Sequence, residues 1–198
     1  MSFGCVHTPG SSTSTTTFDD LVPDVELFTT AEASADLLAA IRRLLDDAFG
    51  GGFSEEDWDH TIGGWHVVVS GDGATLSHAA VVPRVLEVAD RSLDAGYVEG
   101  VGTAPVRQAA GLGSIAMARI SEVIRSEYEM GALSTDRHNF YERLGWERWR
   151  GPTFVRRGSE AVRTADEDDG VMVLRFGRSK GIDLTAPLTC QGRRGDDW

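Results

Sequence analysis

The stretch from Trp65 to Val101 narrows the possible folds most. Trp65–Ser70 and Thr75–Val82 are β-rich runs separated by Gly71-Asp72-Gly73. Asp-Gly between such runs signals a hairpin, because the tight turn it favours needs positive φ at its centre. Ala95–Val101 is a further β-rich run and continues an antiparallel meander. A strand around Val25–Phe28 precedes the meander, and Ala132–Ser134, Glu147–Arg150 and Val171–Leu174 read as later strands, the last two separated by a polar, acidic loop.

Helical signals alternate with these runs. Thr29-Thr30-Ala31-Glu32 has the capping-box pattern, and Leu37, Leu38, Ile41, Leu44, Leu45, Ala48 and Phe49 recur behind it at helical spacing. The glycines Gly50-Gly51-Gly52 end that helix. Ser54-Glu55-Glu56-Asp57 opens a short second helix that stops at Gly63-Gly64. A third helix follows Gln108–Gly113 and runs to about Met130, with Ala116, Ile120, Val123 and Ile124 on one face. A fourth, around Asn139–Leu144, ends at Gly145. The order predicts an α+β fold with a mixed, mainly antiparallel sheet, flanking helices and one central crossover helix.

At 198 residues the chain fits one domain over 23–198, preceded by a Ser/Thr-rich leader over 1–22 that reads as disordered. A core of that size needs no disulfide or metal staple. The two cysteines, Cys5 and Cys190, lie near opposite ends, outside any metal-ligand spacing, which suits a reduced intracellular protein. No apolar stretch approaches the roughly 18 residues of a membrane helix, and no secretory signal opens the chain. His60, His66 and His78 lack the spacing of zinc ligands and read as structural. The formal net charge of −12 argues against a nucleic-acid partner, because binding phosphates requires a basic footprint. It suits a cationic small molecule, and equally a protein that is acidic for solubility.

The most informative local motif is Gln108-Ala109-Ala110-Gly111-Leu112-Gly113, placed after a strand and opening a helix. A helix N-terminus presents unpaired N–H groups and about half a positive charge, and glycines let those amides approach an anion. No Lys-Ser/Thr follows, which excludes a Walker A loop, and the glycine spacing is not that of a dinucleotide fold. The motif resembles the coenzyme A loop of the GNAT acyl-CoA N-acyltransferase fold.

Further segments resemble the aminoglycoside 2′-N-acetyltransferases of that superfamily. They are Phe53–His60 with Gly63-Gly64, His78–Val82, Gly96–Val101, Gly131–Ser134, Tyr141 with Gly145-Trp146, Gly151-Pro152-Thr153, Arg163-Thr164 with Asp166–Gly170, and Gly195–Trp198. Together they extend from about Val25 to Trp198. The resemblance implies a cytoplasmic enzyme that moves acetyl from acetyl-CoA to the 2′-amine of a cationic aminoglycoside, and analogy with the fold suggests a homodimer. It needs no metal and has neither a nucleic-acid nor a membrane partner.

The resemblance also assigns roles. Glu99 matches the carboxylate that acts as general base through water, and Tyr141 the acid that protonates the departing thiolate. The Val101 amide would polarise the thioester carbonyl, and Gly102 and Thr103 would bind the pantetheine. Gln108, Ala110, Gly111, Leu112, Gly113, Ser114 and Ile115 would complete the cofactor site. Asp57, Glu99, Gly100, Ser134, Glu167, Asp168, Asp196 and the carboxylate of Trp198 would contact the acceptor. Independently of the family, Glu99 is a carboxylate in an otherwise apolar run, Tyr97-Val98-Glu99-Gly100-Val101, where an idle buried charge would be costly.

The chain departs from the family pattern at Gly52, where an aspartate is usual. The segment from Val101 to Gly111 is longer, and that from Ser134 to Tyr141 shorter, each by about two residues. With neither cysteine near the expected site, direct attack in a ternary complex is favoured over an acetyl-cysteine intermediate. Two other readings stay open: a different amino-sugar acceptor, such as a cell-wall precursor, and a GNAT module that binds a cation without turnover.

Overall fold

The structure, a computed structural model, describes residues 23–198 apart from residue 90. The expected leader and Cys5 lie outside the described residues. The element order is β1 (Asp24–Thr29), α1 (Ala35–Ala48), α2 (Glu55–Thr61), β2 (Trp65–Gly71), β3 (Ala74–Val88), β4 (Arg91–Thr103), α3 (Leu112–Glu127), β5 (Met130–Ser134), α4 (His138–Glu142), β6 (Glu147–Arg148), β7 (Thr153–Arg157), β8 (Glu160–Arg163), β9 (Val171–Arg175) and β10 (Leu188–Gln191). The expected α+β architecture with a mainly antiparallel sheet and a crossover helix is what forms.

The hairpin at Asp72-Gly73 has positive φ at both residues, +53° and +74°, which sets the register Gly71↔Ala74 of β2 on β3. β4 returns antiparallel to β3, and α3 then carries the chain to β5, which pairs parallel to β4. β9 adds antiparallel to β5, and β6 to β9. On the other flank β10 lies antiparallel to β3 and parallel to β7, which forms a hairpin with β8.

Alternation along the strands gives each sheet face its own cover. Val67, Val69, Ala79, Val81 and Val98 pack against Ala116, Met117, Ile120, Val123 and Ile124 of α3. The intervening Val68 points the other way, onto Ile41 and Leu45 of α1 and Phe53. Tyr97, Ala95 and Leu93 join Trp149, Leu188, Cys190 and Trp198 in a third cluster. Among the described residues no helix is long and apolar enough to cross a membrane.

Four expectations need correction. The Thr29–Glu32 pattern does not cap α1: Thr29 N and Oγ1 both donate to Glu32 Oε2 at 2.8 Å, closing a turn, and Ser34 is the N-cap, accepting from Leu37 N at 3.2 Å. The pattern stands one turn early, where the chain still leaves β1. β3 also runs beyond Val82, through Pro83 to Val88, and β4 begins at Arg91 instead of Ala95. Pro83 is tolerated because β2 pairing ends at Val81 and β10 pairing begins at Leu86, so nothing on that side needs its missing N–H. Third, α3 ends at Glu127, and β5 already begins at Met130. Finally, the stretch read as a polar loop after Arg150 contains the β7–β8 hairpin, and β10 was not anticipated.

The packing of α3 on the sheet generates a stability prediction. Ile124 is fully buried, and its side chain lies beside the bare Cα atoms of Gly96 and Gly131. Ile124→Ala is expected to cost about 2–5 kcal/mol in urea unfolding, because backbone glycines cannot refill the cavity. A loss below about 1 kcal/mol would show that α3 contributes little to the core.

Candidate active site

β4 keeps β5 as a neighbour only as far as Tyr97↔Ala132, although β4 continues to Thr103 and β5 to Ser134. Beyond that pair the strands separate, and a cleft of about 860 Å³ opens between them. The same stretch of β4 is bulged against β3: His78 pairs with Gly102 and Ala80 with Glu99, so two residues of β4 face one of β3. Gly100 takes φ +56° there, and a Cβ on it would sit 2.9 Å from Thr61 Oγ1 and 3.3 Å from Leu45. Both conformation and space therefore call for glycine.

The cleft wall brings together most of the residues singled out from the sequence. Asp57, Glu99, Gly100, Val101, Gly102, Thr103, Gln108, Gly111, Leu112, Gly113, Ser114, Ser134, Tyr141, Asp196 and Trp198 all line it. Ala110 and Ile115 do not: Ala110 N turns back to Arg107 O, and Ile115 N makes a first helical bond to Gly111 O. Glu167 reaches the wall indirectly, accepting from Ser134 Oγ at 3.4 Å. Asp168 lies off it, with its carboxylate taken up by Arg163 and by the Thr153 N–H and hydroxyl at 2.9 Å each. Those partners hold it well below the usual carboxylate range, at about 2.

One end of the cleft is built at the start of α3. Gly111, at φ +82°, is an N-cap with no side chain over the helix terminus. Open space lies where its Cβ would be, while Gly113 approaches Thr103 and Phe140 closely. Arg107, Arg137 and Arg143 line the same cleft, beside Asp136. None of these arginines was singled out from the sequence, although Arg107 directly precedes the motif. Open helix-end amides with guanidinium groups near them fit the pyrophosphate of coenzyme A.

The opposite end is acidic. Asp57 is held by the α2 capping box, where Ser54 N and Oγ donate to Oδ2 at 2.8 and 2.9 Å. Glu99, largely buried, accepts from Arg193 at 2.6 Å. Burial pushes its carboxyl up to about 7, although the nearby Arg193 guanidinium pulls the other way. Arg193 also donates to Asp196 O at 2.6 Å and Trp198 O at 3.4 Å, and it lies over the Tyr97 ring. It thereby folds the 192–198 segment onto β4. His60 to Arg194 O, Arg157 to Asp197 and Trp198 Nε1 to Thr164 Oγ1 complete the attachment. Nothing in the Arg193-Arg194 doublet distinguishes this anchor from a solvated charge.

Tyr141 comes from α4, edge-on to Phe140 and Trp146. Burial pushes its phenol well above the usual tyrosine range, so it holds its proton at neutral pH. Cys190 is buried outside the cleft wall, donates to Asp197 O and is pushed up by burial to about 11, which leaves it no nucleophilic role.

The raised Glu99 makes a stability prediction with a definite sign. The unfolded carboxyl ionises near the usual 4.5 and the folded one near 7, so the fold loses stability as pH rises through that window. Glu99→Gln is therefore expected to stabilise the protein by roughly 1–3 kcal/mol at pH 8 and hardly at pH 4.5 in denaturant titrations. Equal effects at both pH values would contradict the raised carboxyl.

Comparison with known proteins agrees with this geometry. Residues 30–149 match the acetyltransferase (GNAT) domain family. The chain is 38% identical over 173 residues to an aminoglycoside 2′-N-acetyltransferase of Mycolicibacterium fortuitum, covering 85% of this chain and 89% of that protein. Among solved structures it resembles a GNAT family N-acetyltransferase from Escherichia coli in complex with CoA, with a TM-score of 0.62 at 15% identity and 93% of each chain covered. It also resembles a Brucella melitensis GNAT acetyltransferase in complex with acetyl-CoA, with a TM-score of 0.56 at 17% identity, covering 83% of this chain and 94% of that one. These two likenesses concern the fold. The match along the chain and the cleft described above make this protein a member of the aminoglycoside 2′-N-acetyltransferase family of GNAT enzymes.

Proposed function

We propose that the chain acetylates the 2′-amine of aminoglycosides with acetyl-CoA. The observation that carries this reading is the division of one cleft by charge. The open amides of α3 lie beside Thr103 at one end of the β4 bulge, and Asp57, Glu99 and Asp196 lie toward the other, while Arg107, Asp136, Arg137 and Arg143 also line the cleft. A polyanionic coenzyme and a polycationic acceptor can then enter from opposite ends and meet at the bulge of β4.

Acetyl-CoA supplies an acyl group activated as a thioester. Glu99 takes a proton from the acceptor ammonium through a water, leaving the nitrogen lone pair free to attack the carbonyl carbon. The Val101 N–H stabilises the negative charge that develops on the carbonyl oxygen. As the carbon–sulfur bond breaks, Tyr141 gives its phenolic proton to the sulfur, the acylated nitrogen gives its surplus proton back to the phenolate through water, and Glu99 releases its own to solvent. A Glu99 carboxyl near 7 suits this work, being basic enough to accept a proton and still largely ionised slightly above neutrality. Gly102 and Thr103 hold the pantetheine, Gln108 and Gly111 to Ser114 the pyrophosphate. Gly100, Ser134, Glu167 and Trp198 frame the acceptor beside the three acids.

The same reading treats residues 23–198 as one catalytic domain in the cytoplasm, where acetyl-CoA is made, and as a homodimer by analogy with the fold.

Thiol release from acetyl-CoA tests the reading. Turnover is expected with gentamicin and tobramycin, which bear a 2′-amine, and not with kanamycin A or amikacin, which bear a 2′-hydroxyl. No release with any of them would sink the drug-acetylating function. Glu99→Gln should lower kcat roughly 10²–10⁴-fold, and full turnover would remove Glu99 as the base. Arg193 lowers the Glu99 carboxyl, so Arg193→Met should move the acid limb of kcat/KM to higher pH. An unmoved limb would mean that Arg193 has left Glu99 once the acceptor is bound.

A further inference from the structure

Two imidazoles are fully buried behind the β4 bulge, and no step of the chemistry above uses them. His66 comes from β2 and His78 from β3, both at 0% exposure. They form part of one hydrogen-bonded line. His78 Nδ1 lies 2.7 Å from Gly100 O, His78 Nε2 lies 3.0 Å from His66 Nδ1, and His66 Nε2 lies 2.7 Å from Thr30 Oγ1. Gly63 N donates to the same Thr30 oxygen at 2.9 Å.

The direction of the line follows from its end. Gly100 O can only accept, so His78 carries its proton on Nδ1. Burial holds His78 at about 3, with His66 pushing the same way, and holds His66 at about 4, so both rings are neutral. A neutral His78 has a bare Nε2, which His66 Nδ1–H fills. His66 Nε2 is then bare in turn, and the Thr30 hydroxyl donates to it. One tautomer of each ring satisfies every contact along the line, with the Thr30 hydroxyl proton directed to His66 at 2.7 Å in preference to the longer approach to Gly64 O at 3.3 Å.

The end point matters because of where Gly100 stands. The bulge removes it from the regular β3–β4 ladder, and the His78 ring replaces the missing ladder contact. The described peptide bonds are all trans, and in a trans peptide the C=O and the following N–H point in opposite directions. Fixing Gly100 O toward β3 therefore turns the Val101 N–H away from β3. On that other side β5 has already left β4, and the cleft begins.

We propose that His78, backed by His66 and Thr30, is the positioning residue of the acetyl-transfer site. It holds the Gly100 carbonyl so that the Val101 amide faces the thioester oxygen. The proposal rests on the acetyl-CoA reading above and adds residues that touch neither substrate.

The test compares His78→Leu, which removes the donor, with His78→Asn, whose amide nitrogen can replace Nδ1. The infrared carbonyl band of [1-13C]acetyl-CoA bound without acceptor reports polarisation, and thiol release with tobramycin reports turnover. In the native enzyme the band should differ from that of free acetyl-CoA. In His78→Leu it should return toward the free position while kcat falls roughly 10- to 100-fold and the acetyl-CoA Kd changes little. His78→Asn should recover much of both. A native band position in His78→Leu, whatever its kcat, would overturn the proposal. A native enzyme that turns over without any band shift would remove the Val101 role and the proposal with it. Absence of turnover in the native enzyme would instead count against the acetyl-transfer reading. Nitrogen-15 NMR of the native protein tests the relay in every case, including that of a His78→Leu protein that does not fold. Nδ1–H on both His66 and His78 supports it, and Nε2–H on His78 overturns it.

Discussion

The parting of β4 from β5 beyond Tyr97 is the constraint on which the rest of the site depends. A parallel pair that ran on to Thr103 and Ser134 would close the cleft between the two strands. Instead β4 leaves its β5 neighbour and is held to β3 by a bulge, so one short segment supplies Glu99, a glycine in the left-handed region and the Val101 amide. The ends of that segment are tied down by side chains where the ladder is irregular. Ser77 Oγ donates to Gly102 O at 2.9 Å, and His78 holds Gly100 O. A functional strand that has lost a neighbour is thus kept rigid by polar groups buried behind it.

Charge is organised about the same segment. On the proposed reading the coenzyme would meet the helix-end amides and arginines, and the acceptor the carboxylates from α2, β4 and the 192–198 segment. Arg193 stands at the junction, one cation among these acids. It fastens the last residues to β4 and tempers the cost of burying Glu99. The overall charge of −12 is compatible with such a cleft but does not create it, because many of the acidic groups lie in surface ion pairs worth little each.

Much of this was legible in the residues. The Asp72-Gly73 turn, the apolar face of α3 and the Ser54 cap each state their structure locally, and each forms as read. The glycine loop before α3 is visible because an anion cradle needs open amides at a fixed spacing. The resemblance puts Asp168 beside Glu167 at the acceptor, and only the fold shows its carboxylate committed to Arg163 and Thr153. β8 carries no half-buried alternation, since every residue in it is exposed, so it reads as loop. Pro83 looks like the end of β3 until the gap between β2 and β10 is seen. Arg193 and the His66–His78 line were beyond sequence reasoning because their meaning depends on contacts 94 and 22 residues away.

On the proposed reading the two substrates meet at the bulge of β4. A crystal structure with coenzyme A and tobramycin bound together tests it most directly. The pyrophosphate is expected on the Gly111–Ser114 turn, the sulfur in the gap between β4 and β5 beside Val101, and the 2′-amine on the Glu99 side within reach of one bridging water. A pantetheine arm lying outside that gap, or a 2′-amine turned away from Glu99, would contradict it.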